Sequence, residues 1–192
     1  ELLKLKLYSI AVAGTHGKTT TTSMVGNMMT AGGLDPTLII GGIIKNLKSN
    51  ALLGQGDYVV AEADEFDRTF LSLTPTIAII TNIEKEHLDT YEDLNDLKNA
   101  FVQFANKVPF YGVVIACLDE PSVQDILPRI SRRVITYGLS PQADVRAVNV
   151  TFKEAVSEFD IHIQNEDYGR IMLNVPGEHN IKNATAAVAL GL

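Results

Sequence analysis

The chain has 192 residues, 46% of them apolar and 20% charged, enough for a packed core and too apolar for global disorder. Sixteen Lys and Arg against 23 Asp and Glu leave a net charge of −7. That balance argues against a dedicated nucleic-acid or anionic-membrane binder, although a local phosphate site stays open.

In chain order, Tyr8 to Ala13 reads as a compact apolar strand. Thr19 to Ala31 follows as a helix with Met24, Val25, Met28 and Met29 on one side and Gly32-Gly33 as its stop. Thr37 to Ile40 is a short strand and Asp57 to Ala63 a better one, while Thr76 to Thr81 is apolar enough to be buried on both faces. Glu92 to Lys107 carries Leu94, Leu97, Phe101, Val102, Phe104 and Ala105 at helical spacing. Gly112 to Leu118 is a buried strand, Ser122 to Ile130 a short helix and Val134 to Gly138 a further strand.

This β-α alternation predicts an α/β fold, a P-loop-type, mostly parallel sheet flanked by helices. From Ala143 to Pro176 the texture changes. Val145 to Phe152, Glu158 to Gln164 and Arg170 to Val175 alternate like strands of a small antiparallel patch, and a helical tail from His179 to Leu192 follows. No repeat or low-complexity linker divides residues 1–192, which read as one domain. The tail helix stops without a clear cap, so the chain reads as a piece of a longer protein.

No apolar run nears the roughly 20 residues needed to cross a bilayer. Ala11-Val12-Ala13 resembles a signal-peptidase site, but Lys4 and Lys6 interrupt the run before it, and export is not expected. The single cysteine, Cys117, excludes an internal disulfide and a cysteine zinc cage, and it fits a cytoplasmic protein.

The sharpest chemical signal is Gly14-Thr15-His16-Gly17-Lys18-Thr19-Thr20, between a strand and a helix. Glycines let successive N–H groups point at phosphate oxygens, and the helix N-terminus adds its positive end. Lys18 can reach the β- and γ-phosphates and Thr19 offers a hydroxyl to Mg²⁺. Val12 stands where the usual loop carries its first glycine.

A magnesium-bound nucleotide also needs a carboxylate at the end of a neighbouring strand. Tyr58 to Ala63 runs into Glu62, Asp64 and Glu65 there, either a metal site or a solvated acidic loop. His87 follows a third strand and is a surface residue or a ligand. Asn180 and Asn183 lie three apart at a helix start, beside His179, so both amides could face one ligand edge or serve as ordinary caps. His162, in the alternating region, reads as structural.

Together the loop GTHGKTTT, the strand-end EADE, the segment TNIE..HLDTY and the closing PGEHN..N resemble the Mur ligases, in the order and spacing of their central ATPase domain and over nearly the whole chain. The resemblance implies an ADP-forming acid–amino-acid ligase of peptidoglycan precursor synthesis, using ATP and two Mg²⁺ ions. Lys18 would hold the β- and γ-phosphates, Thr19 and Glu62 one Mg²⁺, and His87 a second. Asn183, with Asn180 and His179, would face the adenine.

Within the family the GTHGKT, EADE and TNIE..H.DTY segments look most like the branch that joins L-alanine to UDP-N-acetylmuramate. Phe66, where many members have a small residue, is shared with the branch that recycles murein tripeptide. Folylpolyglutamate synthetases share the architecture with a different loop. A nucleotide-binding regulatory module is the alternative of another class. Several relatives bridge their metals with a carbamylated lysine, and Lys98 lies in roughly the corresponding helix. The domains that choose the substrates lie outside such a domain, so the chain alone is expected to be inactive.

Overall fold

A computed structural model describes residues 6–44, 49–85 and 90–192. Strand β1 (Tyr8–Ala13) leads through the glycine loop into helix α1 (Lys18–Ala31), and β2 (Thr37–Ile44), β3 (Ser49–Leu52) and β4 (Tyr58–Ala63) follow. Next come β5 (Ile77–Ile80), α2 (Leu94–Asn106), β6 (Val113–Cys117), α3 (Pro121–Ile126) and β7 (Val134–Gly138). Strands β8 (Val145–Lys153), β9 (Val156–Ile163) and β10 (Glu166–Leu173) then precede α4 (Glu178–Leu190).

The ten strands among the described residues form one sheet in the order β10-β9-β8-β7-β6-β5-β1-β4-β2-β3. From β2 to the first residues of β8 every pairing is parallel, whereas β3, β9 and β10 pair antiparallel. The expected α/β sheet is therefore present, and its antiparallel patch is continuous with the main sheet through β8.

Alternation along the central strands sorts the core into two layers. Ile10 and Val12 of β1 face α1 and α4, together with Val60, Ile79 and Ile115. Ala11 and Ala13 face the opposite side with Ala63, Ala78 and Ala116. Those alanines leave room for large rings. Phe70 packs with Phe101 and Phe104 of α2 at centroid distances of 5.4 and 5.2 Å.

Three differences from the sequence reading have physical causes. Strand β2 runs on past Ile40 to Ile44, because β3 pairs with it. Strand β3 itself, SNAL, is short and carries weak intrinsic strand character, so pairing rather than propensity makes it a strand. Helix α3 ends at Ile126, short of Ile130, where Pro128 turns the chain into a 3₁₀ turn over Leu127–Arg129.

Parallel pairing brings the carboxyl ends of β1, β4, β5 and β6 to one edge. The chain leaves β1 toward β2 on one side and later returns to β5 on the other, so β1 marks the switch of strand order where open α/β sheets bind ligands. No helix among the described residues is long and apolar enough to cross a membrane.

Candidate functional site

The loop after β1 needs both of its glycines. Gly14 has φ 142°, and a Cβ there would lie 2.0 Å from Thr81 Oγ1. Gly17 has φ 82°, and a Cβ there would meet Asn183 Oδ1 at 2.8 Å. Gly14→Ala is expected to cost about 1–3 kcal/mol from backbone strain alone, read as a lower denaturant midpoint, and to weaken nucleotide binding.

The segment after β5 braces the loop from the side. His16 N–H donates to Asn82 Oδ1 at 2.8 Å, and Asn82 Nδ2 returns a bond to His16 O at 3.1 Å. Thr81 Oγ1 also donates to His16 O at 2.7 Å, and Glu84 N–H donates to Thr15 Oγ1 at 2.9 Å. Thr15 and His16 thus spend these groups holding the loop in shape, while the His16 ring is exposed near Glu84.

The groups aimed outward belong to the next residues. Helical geometry leaves the amides of Gly17, Lys18, Thr19 and Thr20 without intrahelical acceptors, and no side chain caps this end of α1. Helix α2, by contrast, is capped by Asp93, whose side chain accepts from Asp96 N–H. An open, uncapped helix start beside a glycine loop is an anion seat.

The acids at the end of β4 and just beyond it do not act as one cluster. Glu62 lies beside Val12 of β1, and its Oε1 is buried with no hydrogen-bond partner in the structure. Asp64 Oδ1 accepts from Phe66 N–H at 3.0 Å, and Asp67 Oδ1 accepts from both the N–H and the hydroxyl of Thr69. Those two acids build turns, and the Thr69 bonds hold the Asp67 carboxyl below its usual range.

Glu65 turns inward. Its fully buried carboxylate lies 3.0 Å from Lys18 Nζ. Its main-chain carbonyl accepts the hydroxyl proton of Tyr91, whose pKa burial pushes up to about 12. The Arg68 guanidinium sits 4.6 Å over the Tyr91 ring and pairs with Asp96.

Three buried side-chain polar atoms among the described residues lack hydrogen-bond partners. They are Glu62 Oε1 and the hydroxyls of Thr21 and Thr22 in α1. A buried carboxylate oxygen left unsatisfied is costly unless a cation or donor meets it. That orphan, the exposed Thr19 and the open amides fit a magnesium-bound phosphate chain. The described residues alone hold no group of three or more His, Cys, Asp or Glu suited to a metal. His87 lies outside the described residues, as does the rest of 86–89.

A cavity of about 480 Å³ opens beside the loop and runs to the start of α4. His16, Gly17 and Thr20 form one wall, and His179, Asn180 and Asn183 another. Asn183 is 5% exposed and packs on Gly17. Asn180 spends its amide N–H₂ on Pro176 O at 2.7 Å, a cap-like bond. Glu120 and Lys182, joined at 3.0 Å, and the buried Tyr137 complete the cavity.

The Mur ligase middle domain matches residues 12–191 of this sequence. The chain belongs to the Mur ligase family. It is 52% identical over 192 residues to the UDP-N-acetylmuramate–L-alanine ligase of Desulfatibacillum aliphaticivorans, covering all of this chain and 42% of that protein. The corresponding ligase of Salinibacter ruber is 53% identical over 191 residues, covering 100% of this chain and 40% of that one. The chain thus spans about two-fifths of the length of these relatives.

Solved Mur ligase structures superpose on it as well. The UDP-N-acetylmuramate-alanine ligase from Thermotoga maritima gives a TM-score of 0.83 at 29% identity, covering 98% of this chain and 42% of that one. The UDP-N-acetylmuramate:L-alanyl-gamma-D-glutamyl-meso-diaminopimelate ligase from Neisseria meningitides gives 0.86 at 28%, covering 99% and 62%.

Several residues of this Mur ligase domain escape sequence reasoning. The Lys18–Glu65 pair joins residues 47 apart, and nothing in EADE says which acid it will be. Glu120, Lys182 and Tyr137 carried no motif, although Glu120 follows a buried strand at its carboxyl end, the edge where such sites form. Lys98 of α2 pairs with Asp125 of α3 at 2.7 Å.

Proposed function

We propose that this chain is the nucleotide-binding middle domain of a cytoplasmic ligase that joins L-alanine to UDP-N-acetylmuramate, with hydrolysis of ATP to ADP and phosphate. The observation that carries the reading is identity above 50% along the whole chain to ligases of that name. The uncapped phosphate seat and the orphaned Glu62 oxygen support it independently.

A carboxylate is a poor acceptor for an amine, and phosphorylation to an acyl phosphate makes it a good one. The protein's part is to position charged groups and offset their repulsion. Lys18 and the first amides of α1 hold the β- and γ-phosphates. Thr19 and Glu62 would hold one Mg²⁺, and His87 a second. Bound magnesium would supply neutralising charge for the transferring phosphoryl group. Gly14, Thr15, His16, Gly17 and Thr20 shape the seat, and the cavity toward His179, Asn180 and Asn183 takes the adenine. No protein nucleophile is required.

The test is phosphate release by the whole ligase with UDP-N-acetylmuramate and, in turn, L-alanine, L-serine, glycine and the murein tripeptide. Release is expected only with acid and amine both present, and best with L-alanine. Activity with the tripeptide alone would overturn the choice of substrate. Release with neither acid nor amine would point to a plain nucleotide-hydrolysing module.

A further inference from the structure

We propose that Glu65 is a positioning residue for the phosphate loop, one that seats the Lys18 ammonium before nucleotide arrives and competes with nucleotide phosphate for it. The proposal rests on the phosphate-site reading and assigns a task to an acid that reading leaves idle.

An ammonium has three N–H donors. Those of Lys18 meet Gly14 O at 2.7 Å and Glu65 Oε2 at 3.0 Å, with Thr15 O and Glu65 Oε1 both at 3.4 Å. The side chain therefore lies folded back over its own loop, only 14% exposed. Its acceptors are two loop carbonyls and one acid from a different strand end. Glu65 thereby ties the loop after β1 to the end of β4.

The acid is held where it stands. Its carbonyl accepts from Arg68 N–H at 3.2 Å and from the Tyr91 hydroxyl. Tyr91 is 2% exposed beneath Arg68, and Arg68 is anchored on Asp96 of α2. A backbone held by Tyr91 and Arg68, with the carboxylate itself fully buried, does not let this acid swing away cheaply when an anion enters. A phosphate oxygen taking one Lys18 N–H must share the cation with a fixed, buried carboxylate. Two anions on one cation repel, and burial strengthens the repulsion.

The consequence separates Glu65 from Glu62. An acid serving as a magnesium ligand helps nucleotide bind, so neutralising it weakens binding. Neutralising Glu65 has the opposite sign.

Two measurements on this chain test the proposal. In lysine side-chain ¹⁵N spectra of the nucleotide-free protein, the Lys18 ammonium should give a slowly exchanging signal that is lost in Glu65→Ala. Glu65→Gln, which keeps an acceptor and removes the charge, should bind magnesium-ATP and inorganic tripolyphosphate about five- to tenfold more tightly, a coupling of ordinary size. In the whole ligase the same variant should lower KM for ATP without raising kcat.

A purely structural Glu65 would lower stability and leave these affinities unchanged, which overturns the proposal. So does the absence of a protected Lys18 signal in the wild-type chain. That spectrum needs no variant to fold and no nucleotide to bind. Failure of both wild type and Glu65→Gln to bind either probe would instead remove the phosphate-site reading, and the competition with it.

Discussion

Lys18→Ala is expected to abolish ATP-dependent turnover in the whole ligase, by at least about 10³-fold, and to destabilise this domain as well. The first effect follows from the proposed role of Lys18 as the cation that holds the β- and γ-phosphates. The second follows from the position of Glu65, whose fully buried carboxylate loses the ammonium 3.0 Å away. Hydrogen bonds to charged groups contribute roughly 1.5–3 kcal/mol, so the denaturant midpoint should fall measurably. Adding Glu65→Gln to Lys18→Ala should recover much of the stability and none of the turnover, because the neutral amide no longer needs a cation. The two residues are in contact, and their effects should be non-additive in a double-mutant cycle. Turnover within tenfold of the parent would remove Lys18 from the mechanism.

Glu62→Gln should separate function from stability in the other direction. Its Oε1 is buried with no partner in the structure, so the charge is a liability in the nucleotide-free domain. The amide has nearly the same shape, and a Cβ at Gly41 would already lie 3.0 Å from Glu62 Oε2, so there is little slack for any larger side chain. The thermal midpoint is expected to hold or rise. Magnesium-dependent turnover is expected to fall about 10²–10³-fold, the usual cost of removing one group that stabilises transition-state charge. A variant that loses stability and keeps turnover would show Glu62 to be structural. Opposite shifts in ATP affinity for Glu62→Gln and Glu65→Gln would separate two acids three residues apart.

Much of the candidate site is legible along the chain because a loop suited to phosphate is written locally. Strand, glycines, Lys18, Thr19 and helix are contiguous, and the backbone they need is set within a few residues. The same holds for the apolar strands, since Ile10, Val12 and their neighbours fill both faces of the sheet. Where local preference was weak, the reading failed. Strand β3 exists through its pairing with β2, whereas the early end of α3 has a local cause in Pro128.

The acids show the limit most clearly. Glu62, Asp64, Glu65 and Asp67 have one chemistry and sit within six positions, so composition and spacing cannot divide their labour. Side-chain direction after the strand divides it. Asp64 and Asp67 bond to their own turn, Glu62 is left with an unmet oxygen, and Glu65 reaches a lysine on another element.

From sequence, then, come the fold class, the order of most elements and a glycine loop suited to phosphate, because each depends on neighbours along the chain. Which acid holds Lys18, which residues brace the loop and what lines the cavity are settled in three dimensions. Those contacts join residues separated by 47, 66 and 62 positions, as Lys18 meets Glu65, His16 meets Asn82 and Glu120 meets Lys182. No local preference specifies such pairs. They form because the parallel sheet brings the carboxyl ends of separate strands to one edge, where burial makes every unpaired charge costly.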